Sequence, residues 1–209
     1  MNNINLKLYL VLDPILCGGI EGMVKTAMIA AENGVTVVQL RAESMDKRMW
    51  FDAAIALKRA LADVNVPLII NNHIDVAQAV DADGVHVGQR DLPVESTRQI
   101  IGKNKILGLS VSNIDELRRA DGAMIDYLGI GPVFPTTSKK NAAPALGLAQ
   151  LKQLTSLKHC PAVAIGGIGH AQARDVLSCG VEGIAVVSAI CGQPDVAAAT
   201  RAFINALNV

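Results

Sequence analysis

Apolar residues along this chain fall into short unbroken runs, separated by longer stretches in which they recur every three or four positions. Residues 6–12 are almost wholly apolar and are ended by Asp13-Pro14 and Gly18-Gly19. Residues 21–33 then carry Met23, Ala27, Ile29 and Ala30 on one stripe and stop at Gly34. The first run predicts a strand covered on both faces, and the second an amphipathic helix. Strands are predicted again over 35–40, 66–71, 84–87, 106–110, 127–130, 162–165 and 183–187. Helices are predicted over 46–62, 74–80, 93–101, 115–120, 148–157, 171–179 and 196–207, with Asp46 as an N-cap and Pro93 in a first turn.

Strand and helix therefore alternate eight times, and Gly34-Val-Thr-Val-Val, Gly84-Val-His-Val and Gly183-Ile-Ala-Val-Val form a weak repeat at even-numbered strands. That count fits a (β/α)8 TIM barrel better than an open doubly wound sheet, which has fewer strands and an early G-x-G-x-x-G turn. No linker or low-complexity stretch divides the chain, so residues 1–209 read as a single domain of α/β class.

Composition supports the pattern. Of 209 residues 51% are hydrophobic but only 3% aromatic, so the core must be built from Ala, Val, Ile and Leu, as parallel sheets are. Lys plus Arg and Asp plus Glu both total 19, which leaves no global field to attract nucleic acid or an anionic membrane. No apolar run is long enough for a membrane helix, and Asp13-Pro14 interrupts the one candidate signal-peptide core, so a cytoplasmic location is expected. Oligomeric state leaves no trace in the sequence, and a homo-oligomer is compatible with it. The four cysteines and four histidines show neither C-x-x-C nor H-x-x-x-H spacing, which argues against zinc. Reduced thiols and ordinary surface or loop histidines are expected instead.

In a barrel of this kind the chemistry sits at the carboxyl ends of the strands. Those ends are polar here. Gln39 and Arg41 occupy alternate positions of the second strand end and so face one side, an amide for a heteroatom ring and a guanidinium for phosphate. Asn71, Asn72, Gln89 and Asp91 offer hard oxygen donors suited to Mg2+ shared with phosphate, although Asp91 reads equally as a helix cap before Leu92-Pro93. Asp75, Asp81 and Asp83 read as caps or solvated groups around the short helix between strands three and four. Ser110 ends the fifth strand. Thr136, Thr137 and Ser138 supply hydroxyls, and Lys139 and Lys140 charge, for a phosphate-bearing group, on a loop stiffened by Pro132 and Pro135. Gly166-Gly167 and Val187-Ser188 lie where barrels of this type grip phosphate through backbone N–H groups, although a Gly-Gly pair also makes a plain tight turn.

These residues resemble thiamine phosphate synthases over essentially the whole chain. The matched stretches are Tyr9-Leu-Val-Leu-Asp13, Val38-Gln-Leu-Arg41, Leu68-Ile-Ile-Asn71, Asp83-Gly-Val-His-Val-Gly-Gln89 with Asp91, Gly108-Leu-Ser110, Gly131-Pro-Val-Phe-Pro-Thr136 through Lys139, Ile165-Gly-Gly167 and Val187-Ser188. The resemblance implies a (β/α)8 barrel that joins hydroxymethylpyrimidine diphosphate to thiazole phosphate with Mg2+, diphosphate leaving before the thiazole nitrogen attacks. It implies that Gln39, Arg41, Asn71 and Ser110 bind the pyrimidine diphosphate and that Asp91, with Asn72, binds Mg2+. Thr136, Ser138, Gly167, Val187 and Ser188 would hold the thiazole phosphate, with the Thr137 hydroxyl on the same loop, and Lys139 would bridge to the diphosphate. Lys139, Ser110 and Arg41 carry the expected catalytic roles, which consist of neutralising the leaving group.

Two positions depart from the family pattern: Glu43 stands where Lys is usual, and Asn72 where Asp is usual. At ~5 Å and an effective dielectric of ~20 each unit of charge is worth about 3 kcal/mol before solvent screening, so Glu43 is expected to weaken diphosphate binding unless Lys47 swings in to replace it. Asn72 keeps an amide oxygen without charge, which predicts weaker metal affinity. An impaired paralogue that binds thiazole phosphate or thiamine phosphate, and a thiazole tautomerase-like enzyme, are the competing readings.

Overall fold

Eight parallel strands close on themselves in strict sequence order, β1 to β8 with β8 pairing back to β1, in a computed structural model that describes residues 4–120, 124–139 and 143–208. The strands are β1 Leu8–Leu12, β2 Val37–Leu40, β3 Leu68–Asn71, β4 Gly84–Val87, β5 Ile106–Val111, β6 Tyr127–Ile130, β7 Ala162–Ile165 and β8 Gly183–Val186. Between and after them run α1 Pro14–Cys17, α2 Ile20–Glu32, α3 Lys47–Ala62, α4 Ile74–Ala79, α5 Val94–Ile101, α6 Ile114–Arg119, α7 Gly147–Leu157, α8 Ala173–Ser178 and α9 Val196–Leu207.

The unbroken apolar character of the strands follows from burial on both faces. Leu8, Leu10, Leu12, Leu40, Leu68 and Ile70 point outward into a core shared with the helices. Residues of the opposite parity, among them Tyr9, Val11, Val37, Ile69, Tyr127 and Val163, fill the barrel itself. Strand parity therefore sorts every strand residue into one of two cores, and at the upper end of the inner one it selects which polar side chains reach the mouth.

Local signals act where expected: the Asp46 carboxylate accepts from Met49 N–H to start α3, and Asp195 does the same from Ala198 N–H for α9. The first three strands begin two residues later than the apolar runs predict, because Leu6 and Val35 remain buried at the barrel floor after ladder pairing has ended. The helix α1 goes beyond the sequence reading; Asp13 accepts from the N–H groups of Ile15 and Leu16, and Gly18 ends the turn at φ 78. Asp75, Asp81 and Asp83 are ion-pair partners of Lys47, Lys105 and Lys58 rather than caps.

One buried ion pair ties α5 to the amino ends of β5 and β6. Arg98 on α5 donates to Asp126 at 2.8 Å and to the carbonyls of Met124, Gly102 and Lys105, while Asp126 also accepts from Leu107 N–H on β5.

Candidate active site

The carboxyl ends of β2 to β8 bring the polar residues named above to one mouth. At the end of β2, Gln39 is buried and Arg41, two residues on, has a side chain only 13% exposed. The Arg41 guanidinium donates at 3.1 Å to the carbonyl of Ser138, 97 residues away on the loop after β6, and at 2.5 Å to Glu43. It thereby joins two sides of the mouth. Glu43 is 58% exposed, so the charge expected to oppose a diphosphate is spent on Arg41 from the solvent side. Lys47 does not fill the gap: its ammonium sits 2.8 Å from Asp75 and 2.9 Å from His73 Nδ1.

The loop after β6 is built against the loop after β7. Val133 and Phe134 donate to the carbonyls of Ile165 and Gly166, both at 2.9 Å, which prolongs strand pairing past the barrel rim. Gly167 has φ +65, and a Cβ there would lie 2.5 Å from the Pro135 carbonyl oxygen, so a side chain would push the loop away. Beyond this zipper residues 135–139 form an arm. Thr136 Oγ1 accepts from Ser138 N–H at 3.2 Å, and Thr137 and Lys139 are exposed. Lys140 lies outside the described residues. Val187 and Ser188 form the neighbouring turn, tied by Cys191 N–H to the Val187 carbonyl at 2.8 Å and by Gln193 to the Ser188 carbonyl at 2.8 Å.

On the other side Asn71 is buried at the end of β3, and Asn72 follows in the left-handed region at φ 62 with its side chain exposed. One oxygen of Asp91 accepts from Gly88 N–H at 2.7 Å and so closes a turn; it does not cap the following helix as the alternative reading expects, since α5 has Pro93 at its N-cap and no side-chain cap. Gln89 Nε2 donates to the Ser110 carbonyl at 2.8 Å, which fixes the amide but does not use its oxygen. Asp91 is near enough for its charge to act on His73, the neighbour of Asn72, whose pKa is lowered first by burial and next by Lys47. Among the described residues no three His, Cys, Asp or Glu side chains converge to hold a metal. A cation here would complete its shell with amide oxygens, water and phosphate, a donor set that Mg2+ accepts.

Three polar residues of the inner core were given no site role by the sequence. Tyr9, Tyr127 and His86 are 1%, 0% and 8% exposed, and they connect Gln39 to Ser110. Gln39 Nε2 donates to Tyr9 Oη at 2.8 Å, Tyr9 Oη lies 2.8 Å from Tyr127 Oη, and Tyr127 Oη lies 2.9 Å from His86 Nδ1. His86 Nε2 is 2.8 Å from Ser110 Oγ. Burial, helped by the charge of Lys139, lowers the His86 pKa to about 4, and burial raises both phenols well above their ordinary value. All three are neutral at ordinary pH. His86 thus departs from the surface or loop histidine expected; the available signal was parity, since it shares the inward register of β4. Glycines make the room: a Cβ on Gly108 would fall 2.2 Å from the Tyr127 ring and 2.5 Å from His86 Nδ1.

A sequence profile described as thiamine monophosphate synthase matches residues 8–190. A thiamine-phosphate synthase of Laribacter hongkongensis is 50% identical over 198 residues, which cover 95% of this chain and 93% of that one. One from Desulfitobacterium hafniense is 46% identical over 202 residues, 97% of each chain. Among solved structures, a thiamine phosphate pyrophosphorylase of Pyrococcus furiosus superposes with a TM-score of 0.88 at 36% identity, covering 97% of this chain and 96% of that one.

Proposed function

The chain belongs to the thiamine phosphate synthase family, and from that membership we infer that it condenses 4-amino-5-hydroxymethyl-2-methylpyrimidine diphosphate with thiazole phosphate, giving thiamine phosphate and diphosphate. It is a transferase acting on small molecules. In the reaction the bond from the pyrimidine methylene carbon to the diphosphate oxygen breaks, that oxygen keeps the electron pair, and the thiazole nitrogen supplies the pair for the new C–N bond. No proton need move at the reacting carbon. What the protein must provide is charge opposite the departing diphosphate and a fixed approach for the nitrogen.

The observation that carries the assignment of roles is the Arg41 to Ser138 hydrogen bond, which holds a cation of the β2 end against the arm after β6. In this reading Arg41 and Lys139 face the diphosphate, Gln39, Asn71 and Ser110 hold the pyrimidine end, and Thr136, Thr137, Ser138, Gly167, Val187 and Ser188 hold the thiazole phosphate. Asp91, through the oxygen not turned to Gly88, and Asn72, through its amide oxygen, would hold Mg2+ together with phosphate oxygens. When bound, the ion supplies further neutralisation of the leaving diphosphate. Identity of 50% to a synthase over nearly the full length favours this reading over the impaired-paralogue and tautomerase-like alternatives. No helix among the described residues is long and apolar enough to cross a membrane, and a cytoplasmic site of action completes the proposal.

The test is to mix the two substrates with Mg2+ and follow thiamine phosphate and diphosphate together. Equal amounts of both are expected. Absence of product at saturating substrates and metal would overturn the assignment.

A further inference from the structure

Five side chains from five strands form one line of hydrogen bonds through the upper barrel, Gln39, Tyr9, Tyr127, His86 and Ser110 in that order. Gln39, Tyr9, Tyr127 and His86 are all buried and Ser110 is half-buried, and the two ends of the line stand toward the carboxyl ends of their strands. Each phenol has a single hydrogen, and a neutral imidazole has one N–H and one acceptor nitrogen. In such a line the direction of one bond dictates all the others.

With Gln39 Nε2 donating to Tyr9, the Tyr9 hydrogen goes to Tyr127 and the Tyr127 hydrogen to His86 Nδ1. The imidazole hydrogen is then on Nε2 and goes to Ser110 Oγ. Ser110 is left with its own hydrogen to donate into the mouth, and Gln39 with its carbonyl oxygen to accept there. Turning the Gln39 amide over reverses every bond, so that Gln39 would offer N–H and Ser110 only lone pairs. The two ends are therefore coupled: a ligand that needs a donor at Ser110 meets an acceptor at Gln39.

We propose that this buried line sets pyrimidine specificity, because the acceptor groups of the substrate fix Ser110 as donor, and the line then fixes Gln39 as an acceptor that selects a ring bearing an exocyclic amino group over its oxo counterpart. The inference rests on the reading above that Gln39 and Ser110 face the pyrimidine diphosphate. A 4-oxo ring presents an acceptor where the amino ring presents a donor, so it meets the Gln39 carbonyl with like polarity. Reversing the line to suit it would withdraw the Ser110 donor.

The experiment compares kcat/KM for the aminopyrimidine diphosphate and for its 4-oxo analogue. A site committed to one polarity should prefer the amino compound by about 100-fold or more. Tyr127→Phe keeps the ring in its glycine-lined space but removes the central hydroxyl and with it the bonds to Tyr9 and His86, and should cut that preference by about tenfold or more. A general loss of packing would lower both substrates together and leave the ratio alone. Gln39→Ala is the control on the site: if neither KM moves, the ring does not face Gln39 and the inference falls with that reading. If Gln39→Ala raises KM while Tyr127→Phe retains the wild-type preference, the site reading stands and the line is not the selector. A second measurement needs no variant: 15N NMR of His86 in the wild-type complex with the pyrimidine diphosphate should show hydrogen on Nε2 and none on Nδ1. The reverse tautomer would overturn the proposal.

Discussion

At the scale of single residues the magnitude of the Glu43 effect is decided by exposure. An unscreened charge reversal beside a diphosphate would be severe, but Glu43 is 58% exposed and can swing away from Arg41 into bulk water at little cost. An ion pair of this kind contributes about 0–1 kcal/mol, so Glu43→Gln should lower KM for the pyrimidine diphosphate by at most about fivefold and leave kcat nearly unchanged. Steady-state kinetics at fixed thiazole phosphate would read this; a KM that falls by orders of magnitude would mean that Glu43 blocks the site. His86 makes a different prediction, about stability. Its ordinary pKa of 6.5 is lowered to about 4 in the folded protein, so between those values the unfolded chain binds the extra proton and folding stability declines as pH falls. The loss should begin near the unfolded value, end near the folded one and amount to about 3 kcal/mol at most. Urea midpoints measured at pH 7 and pH 5 should differ more for the wild type than for His86→Asn.

At the scale of elements, the site depends on where a loop is allowed to touch its neighbour. The arm after β6 is positioned by backbone bonds to the β7 end and by the absence of a side chain at Gly167. Gly167→Ala adds a left-handed strain of about 1–2 kcal/mol and a contact with the Pro135 carbonyl that the rigid backbone can relieve only by moving the arm. KM for thiazole phosphate should rise about tenfold or more, with a smaller change for the pyrimidine diphosphate. Equal effects on the two would place the arm elsewhere in the reaction. The sequence marked Gly166-Gly167 as a tight turn and a candidate phosphate grip, whereas its service as a seat for the opposing loop was not legible, because that contact joins residues more than thirty positions apart.

At the scale of the whole molecule the barrel is held by two cores and by the Arg98 to Asp126 pair that links α5, β5 and β6. Both side chains are under 10% exposed, so removing the carboxylate charge leaves a guanidinium buried with carbonyl partners alone. Asp126→Asn should destabilise folding by about 3–5 kcal/mol, measured by chemical denaturation, and should leave kcat of the surviving folded protein close to wild type. The sequence by itself determined the eightfold alternation, the parallel barrel and the polar strand ends, because each of these follows from local periodicity and from turn residues a few positions apart. It also singled out Gln39, Arg41, Asp91 and the Thr136 to Lys139 arm as candidates for the chemistry. Only the tertiary structure decided that Arg41 reaches Ser138 while holding Glu43, that Lys47 is committed to Asp75, and that Tyr9, Tyr127 and His86 connect Gln39 to Ser110. Those partners lie on different strands and loops, and which inward side chains meet depends on barrel stagger and on glycines that leave room, neither of which is a local property of the chain.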